Sequence, residues 1–162
     1  MKKQQKGFSL IELLIVVAII LIIAAIAIPN LLRSRMAANE ASAVGSVRSI
    51  NTAQVTFAST YPSVGFASAM SALTGSSTVC AGATGATSTN ACLLDAVLGS
   101  GTKSGYTFVL GGTTGTPIVT YTVTATPVVV GQTGQRGFFS DQSGVIRYNP
   151  TGTSTVADSP LQ

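Results

Sequence analysis

Glu12 is the residue whose type and position most clearly call for chemistry. It lies near the start of an apolar run from Phe8 to Leu32, and no side chain from Leu13 to Ile28 is polar. A charged side chain inside a membrane costs at least ~2.5 kcal/mol on insertion scales. A buried carboxylate therefore needs a cationic partner or a proton. We expect Glu12 to have a functional role.

The rest of the sequence offers few groups for catalysis or for metal binding. It contains no histidine, and Asp and Glu together number 5, one of which is Glu12. The stretch Gly101–Ser104 lacks the Gly-Lys pair and the spacing of a phosphate-binding loop. We therefore predict that the protein is not an enzyme, and that it has no catalytic residue, metal ligand or cofactor.

The apolar run is long enough to cross a membrane. It has about 25 residues, which at ~1.5 Å per residue cover the ~30 Å core of a bilayer. Lys2, Lys3 and Lys6 precede it and would keep its amino-terminal end in the cytoplasm. A secretory signal fits poorly, because here the small residue Gly7 comes before the apolar run and not after it.

The sequence from Gly7 to Val17, GFSLIELLIVV, resembles the N-terminal signature of type IV pilins and the related pseudopilins. The resemblance implies that a prepilin peptidase removes residues 1–7 as a leader by cutting between Gly7 and Phe8. It also implies that the new amino group of Phe8 is methylated. The similarity is strong about as far as Arg35 and much weaker after it.

Cleavage after Gly7 would supply the cation that Glu12 lacks. Helical spacing places Glu12 four residues from Phe8 on one face, so the carboxylate can meet the amino group of its own chain. In a bundle of staggered helices, the partner can instead be the amino group of a neighbouring subunit, and both alternatives stay open. A single polar pair in an apolar interface controls register. The resemblance implies the same assembly role for Phe8 and Glu12.

Pro29 stands where many type IV pilins have a proline. It removes a backbone hydrogen bond and is expected to kink or loosen the helix between Ala25 and Pro29. A modest kink is one interpretation. The other, implied by the filaments of similar proteins, is a segment that loses helical order when subunits pack.

The run after Leu32 becomes polar, yet no further proline occurs before Pro62. Apolar residues recur there at steps of three and four and form one helical face: Val44, Val47, Ile50, Ala53, Phe57 and Tyr61. We therefore expect one helix over residues 8–61. Its first part, residues 8–32, would be the transmembrane segment and filament core, and its second part would pack on a globular head.

Residues 62–162 are predicted to form that head. Residues 62–104 have little periodicity and are interpreted as a loop with a short helix around Cys92–Leu98. Four strand-like runs follow, namely Tyr106–Leu110, Ile118–Thr124, Gly137–Ser140 and Val145–Tyr148. The predicted fold class is α+β, a long N-terminal helix packed on a small antiparallel sheet within residues 105–149. The pilin resemblance implies the same fold.

The two cysteines, Cys80 and Cys92, are expected to form a disulfide, because an exported chain would normally pair them. Many type IV pilins of the best-known class have their disulfide near the C-terminus, whereas this pair lies between the helix and the sheet. What the loop displays therefore does not follow from the resemblance.

The charge balance does not predict a nucleic-acid partner. The formal net charge is +4, but without the lysines that precede Gly7, six cationic residues face five acidic ones. Arg136 and Arg147 flank the last hairpin and are interpreted as surface charges. Asp141 is interpreted as a turn former that caps its own backbone, in preference to a calcium ligand.

The sequence therefore favours a structural protein. The leading hypothesis is the major pilin of a type IV pilus: a single-pass inner-membrane protein that becomes an extracellular homo-oligomeric filament. Its partners would be a prepilin peptidase and methyltransferase, and inner-membrane assembly machinery with a separate ATPase. The alternative is a pseudopilin of a type II secretion or DNA-uptake system. The scarcity of acids in the C-terminal part and the hydroxyl-rich head favour the long fibre. A binding module on a signal anchor would not require Glu12.

Overall fold

The computed structural model describes residues 8–75, 77–80 and 85–161. The chain divides after Arg35 into two compact units. The helix α1 (Leu10–Thr60) begins in the first unit and ends in the second. The helix ends at Thr60 because Pro62 disfavours helical backbone at Tyr61, the residue before it. The last helical hydrogen bond runs from the amide of Tyr61 to the carbonyl of Phe57, at 2.8 Å.

One face of α1 in the second unit is buried, as the spacing of three and four predicts. Its buried residues are Glu40, Ala43, Ser46, Val47, Ile50, Asn51, Ala53, Gln54 and Phe57. The predicted members Val44 and Tyr61 are only partly buried at its margin. The prediction missed the polar members of this face, which turn out to make its most specific contacts.

The head is built around a five-stranded antiparallel sheet in which each strand pairs with the next along the chain. The strands are β1 (Thr102–Lys103), β2 (Tyr106–Thr114), β3 (Thr120–Pro127), β4 (Gly137–Asp141) and β5 (Arg147–Asn149). The predicted fold class, a long apolar helix with a small antiparallel sheet, is confirmed. The four predicted runs correspond to β2–β5, whereas β1 is too short to show a pattern.

Among the described residues, three short helices follow α1 in the chain and precede the sheet: α2 (Met70–Leu73), α3 (Ser77–Cys80) and α4 (Ala96–Gly99). The helix predicted around Cys92–Leu98 begins later than expected, at Ala96. The side chain of Asp95 caps α4 by accepting a hydrogen bond from the amide of Leu98, and Cys92 has a left-handed backbone with φ 57. Both features place the helix start after Asp95.

The core of the head lies between the buried face of α1 and one face of the sheet. In β3, Tyr121, Val123 and Ala125 are buried and alternate with partly exposed threonines, as the hydroxyl-rich alternation predicts. The aromatic rings of Phe57 and Phe138 are fully buried in the same cluster. Burial of each large side chain contributes roughly 1.5–3 kcal/mol to stability.

Candidate assembly surface and the contacts that shape the head

The first part of α1 is an exposed apolar helix. All the large hydrophobic side chains from Phe8 to Leu32 are exposed, by between 42% and 76%. By length and composition this helix can cross a membrane. A continuous apolar surface of this size is not stable in water. It must be covered by a bilayer or by other protein.

Glu12 lies in the first turn of α1, whose first hydrogen bond runs from Leu13 to the carbonyl of Ser9 at 3.2 Å. An acid in this position interacts favourably with the helix dipole. Its side chain is exposed, and it has no ion pair or hydrogen bond with any residue that the structure describes. Phe8 precedes the helix, and Gly7 lies outside the described residues. Pairing of Glu12 with the amino group of Phe8 stays a prediction.

Pro29 lies inside α1, and the helix continues through it. A proline at this position removes the hydrogen bond to the carbonyl of Ala25. Loss of helical order at this point stays a prediction.

Glu40 joins α1 to the segment before β4. Its carboxylate accepts hydrogen bonds from the amides of Gln135 and Arg136, at 2.9 and 3.1 Å, and from Arg136 Nε at 2.7 Å. Burial acts against the charged form, but these hydrogen bonds and the guanidinium outweigh it and hold the pKa of Glu40 below its usual value. The carboxylate is therefore a fixed anchor. The sequence gives no sign of it, because the residues it binds are distant in the chain.

Arg136 is a partly exposed charge at the surface of the head, and its guanidinium also contacts other groups of the head. Its guanidinium carbon lies 5.7 Å from the ring centre of Phe138 and 5.6 Å from that of Tyr148. Cation–π contacts of this kind each contribute on the order of 0.5–1 kcal/mol. Arg147 is also held, because it donates a 3.0 Å hydrogen bond to the carbonyl of Asp158. Both arginines therefore have partners within the head.

Asn51 connects α1 to two strands. Its amide nitrogen donates to Ser140 Oγ at 2.8 Å, and its oxygen accepts from the hydroxyl of Tyr121 at 3.2 Å. Burial, with a smaller contribution from the charge of Asp141, raises the pKa of Tyr121 to about 12. The tyrosine thus remains a donor, and the helix is fixed in register on the sheet.

Gln54 joins α1 to the segment that follows it. The fully buried side chain donates to the carbonyl of Ala67 at 3.1 Å and accepts from the amide of the same residue at 2.8 Å. A buried backbone group without a partner is costly. The side chain of Gln54 therefore bonds to the backbone of Ala67 as a neighbouring strand would do.

The predicted disulfide between Cys80 and Cys92 is present, with a Cα–Cα distance of 5.7 Å. Its surroundings are tight, since a side chain at Gly75 would collide with both sulfur atoms. The amide of Cys92 also donates to the carbonyl of Thr74 at 3.3 Å. The disulfide therefore links the end of α3 to Cys92, and the backbone of Cys92 is bonded to the residue that follows α2.

The last two acids of the chain, Asp141 and Asp158, form turns. Asp141 accepts a 2.9 Å hydrogen bond from the amide of Ser143, as expected of a turn former. Asp158 accepts bonds from the amide of Thr155 at 2.6 Å and from Asn149 Nδ2 at 2.8 Å, and these lower its pKa. No group of three or more His, Cys, Asp or Glu side chains is placed to hold a metal within the described part of the chain.

Comparison with known proteins finds matches to the N-terminal segment. Residues 2–28 match the prokaryotic N-terminal methylation motif. The chain is 63% identical over 38 residues to the type IV wide pilus major component PilA4 of Thermus thermophilus, which is 24% of this chain and 29% of the relative. It is 46% identical over 54 residues to the type IV major pilin protein PilA of Myxococcus xanthus, which is 33% of this chain and 24% of the relative.

The matched part of the chain thus spans less than a third of the length of either relative. No solved structure matches the chain. The predicted resemblance to type IV pilins is confirmed by the motif and by both relatives.

Proposed function

We propose that this chain, with its type IV pilin N-terminal segment, is the major structural subunit of a type IV pilus filament. The observation that carries the proposal is the exposed apolar helix between Phe8 and Leu32, with one acid, Glu12, near its start. Copies of the chain can cover this surface for one another, because the helix is apolar on every side. The role is structural, and the names of both relatives agree with it.

Processing would prepare the helix for assembly. In this proposal residues 1–7 are a leader, residues 8–61 the helix and residues 62–162 the head. A prepilin peptidase cuts between Gly7 and Phe8, and a methyltransferase modifies the new amino group. That group is a cation within one helical turn of Glu12, so it offsets the cost of burying the carboxylate.

The proposed path of the protein runs from the inner membrane to the cell surface. Before assembly, the apolar helix spans the membrane once, with the lysines of the leader on the cytoplasmic side. Inner-membrane machinery with a separate ATPase would then transfer each subunit into the filament. The bilayer and the filament core are both apolar, so the transfer exchanges one apolar environment for another.

The proposal is tested on cells that produce this chain. We expect electron microscopy of sheared surface material to show long fibres, and mass spectrometry to show a subunit that begins at methylated Phe8. A protein confined to the cell envelope, or one that keeps its leader, would contradict the proposal.

A variant at the cut site gives this experiment a matched control. Gly7→Arg places a long cation at a position where the peptidase needs a small residue, so we expect uncut protein in the membrane and no fibres. Gly45→Ala is the control, because a side chain at Gly45 would meet no atom within 4 Å. That variant should be cut and assembled normally.

A further inference from the structure

The loop between β3 and β4 exposes three successive valines. We call residues 128–136 the valine loop. Val128, Val129 and Val130 are exposed by 55%, 42% and 51%. Isolated apolar residues on a surface need no explanation, but a contiguous group indicates an interaction site. This group is conspicuous on a head whose surface is rich in threonine and serine.

The valine loop holds its shape through its own backbone. The amides of Gln132 and Thr133 donate to the carbonyl of Val129 at 3.1 and 3.0 Å. The amide of Val128 donates to the carbonyl of Gly105 at 2.9 Å. Valine side chains are themselves stiff, because they branch at Cβ. The loop therefore presents its apolar side chains in a fixed arrangement.

Contacts with α1 and β2 fix the valine loop in place. Asn39 donates a 2.8 Å hydrogen bond to the carbonyl of Thr133, and Glu40 binds the end of the loop at Arg136. The hydroxyl of Tyr106 donates to the carbonyl of Arg136 at 2.7 Å. A surface that is already ordered loses little conformational entropy when it binds. Such a loop is well suited to be an interface.

We infer that the valine loop docks onto the apolar segment 8–32 of a second copy of this chain. The inference rests on the proposed function, which brings copies together. Residues 128–134 carry no charged side chain, and residues 13–28 carry no polar one, so a contact between these two parts leaves no unpaired charge. The segment is also the longest exposed apolar surface among the described residues and needs a cover. The loop would supply part of that cover in the filament.

Site-specific crosslinking tests this contact in assembled fibres. A photoreactive benzophenone side chain replaces Val129, and fibres are grown from a mixture of isotope-labelled and unlabelled chains. We expect an adduct between position 129 of one chain and residues 8–32 of another. Adducts within one chain, with lipid or with another head, or no adduct at all, would overturn the inference. Absence of fibres from the unsubstituted chain would instead contradict the proposed function.

Charge substitutions give an independent test. Val128→Lys and Val129→Lys place a cation against an apolar surface, so we expect the yield of fibres to fall about fivefold or more. Val119→Lys is the control, since Val119 is 60% exposed and lies outside the loop. The unfolding midpoint of the full chain in detergent should be the same in all three variants. Equal fibre yields from the loop variants and the control would overturn the inference.

Discussion

The carboxylate of Glu40 and the guanidinium of Arg136 meet at 2.7 Å, although 96 positions of sequence separate the two residues. The same carboxylate accepts hydrogen bonds from two backbone amides, so one side chain on α1 holds the segment before β4 in place. The Glu40 side chain is 10% exposed and that of Arg136 is 40% exposed. Because the carboxylate is largely shielded from water, removing its partner or the carboxylate itself costs more than breaking a surface ion pair.

Glu40→Ala should destabilise the head by about 2–3 kcal/mol, since it removes the acceptor of two amides and leaves Arg136 without its anion. Urea unfolding of the full chain in detergent, followed by tyrosine fluorescence, measures the change. Lys103→Ala is the matched control, because it breaks the more exposed ion pair with Asp95. That variant should lose less than ~1 kcal/mol. Equal losses in the two variants would show that Glu40 is not an anchor.

Acid should weaken the head through the same carboxylate. The folded-state pKa of Glu40 is lowered from 4.5, so its contribution to stability is complete above that pH and is lost as the pH falls through the folded-state pKa. The hydrogen bonds of Asp158 lower its pKa from 3.8, so its contribution is also lost as the pH falls below that value. Urea midpoints measured from pH 6 down to about pH 3 should therefore decrease. The decrease should be smaller in Glu40→Gln, and an unchanged decrease there would contradict this assignment.

Gln54→Met should destabilise the head by about 2 kcal/mol or more. Methionine keeps the volume of the side chain but leaves the amide and the carbonyl of Ala67 without partners. Thr52→Ala on the exposed side of α1 is the control and should change stability by less than ~0.5 kcal/mol. The same urea titration measures both variants, and a neutral Gln54→Met would mean that water satisfies Ala67.

The periodic segments of the fold were predictable from the sequence, because the spacing of apolar residues along a helix or strand shows which face is buried. Val47, Ile50 and Phe57 recur at helical spacing and are buried as expected. The threonines of β3 alternate with Tyr121 and Val123, and their burial follows that alternation. Both signals depend only on neighbours along the chain.

Contacts between distant residues were not predictable. Glu40 and Gln54 interrupt an apolar face and look unfavourable until their partners are known, and one of those partners is the backbone of Ala67. Nothing in the sequence predicts that the guanidinium of Arg136 lies near the rings of Phe138 and Tyr148. Glu12 is the opposite case. Its type and position are plain in the sequence, whereas its predicted partner exists only after processing and belongs either to the same chain or to a second subunit.

Glu12→Leu should separate membrane insertion from assembly. The substitution makes the segment more apolar, so the chain should still insert and be cut after Gly7. It removes the acid that we propose pairs with the amino group of Phe8. A loss of only 1–2 kcal/mol per contact would lower the equilibrium constant for adding a subunit to the fibre by a factor of about 5–30. Fibre yield from sheared cells, set against subunit content of the membrane, measures this loss. Ser9→Ala is the control, since it changes a polar side chain in the same turn and leaves the carboxylate intact. Normal fibres from Glu12→Leu would show that the carboxylate does not set the register of assembly.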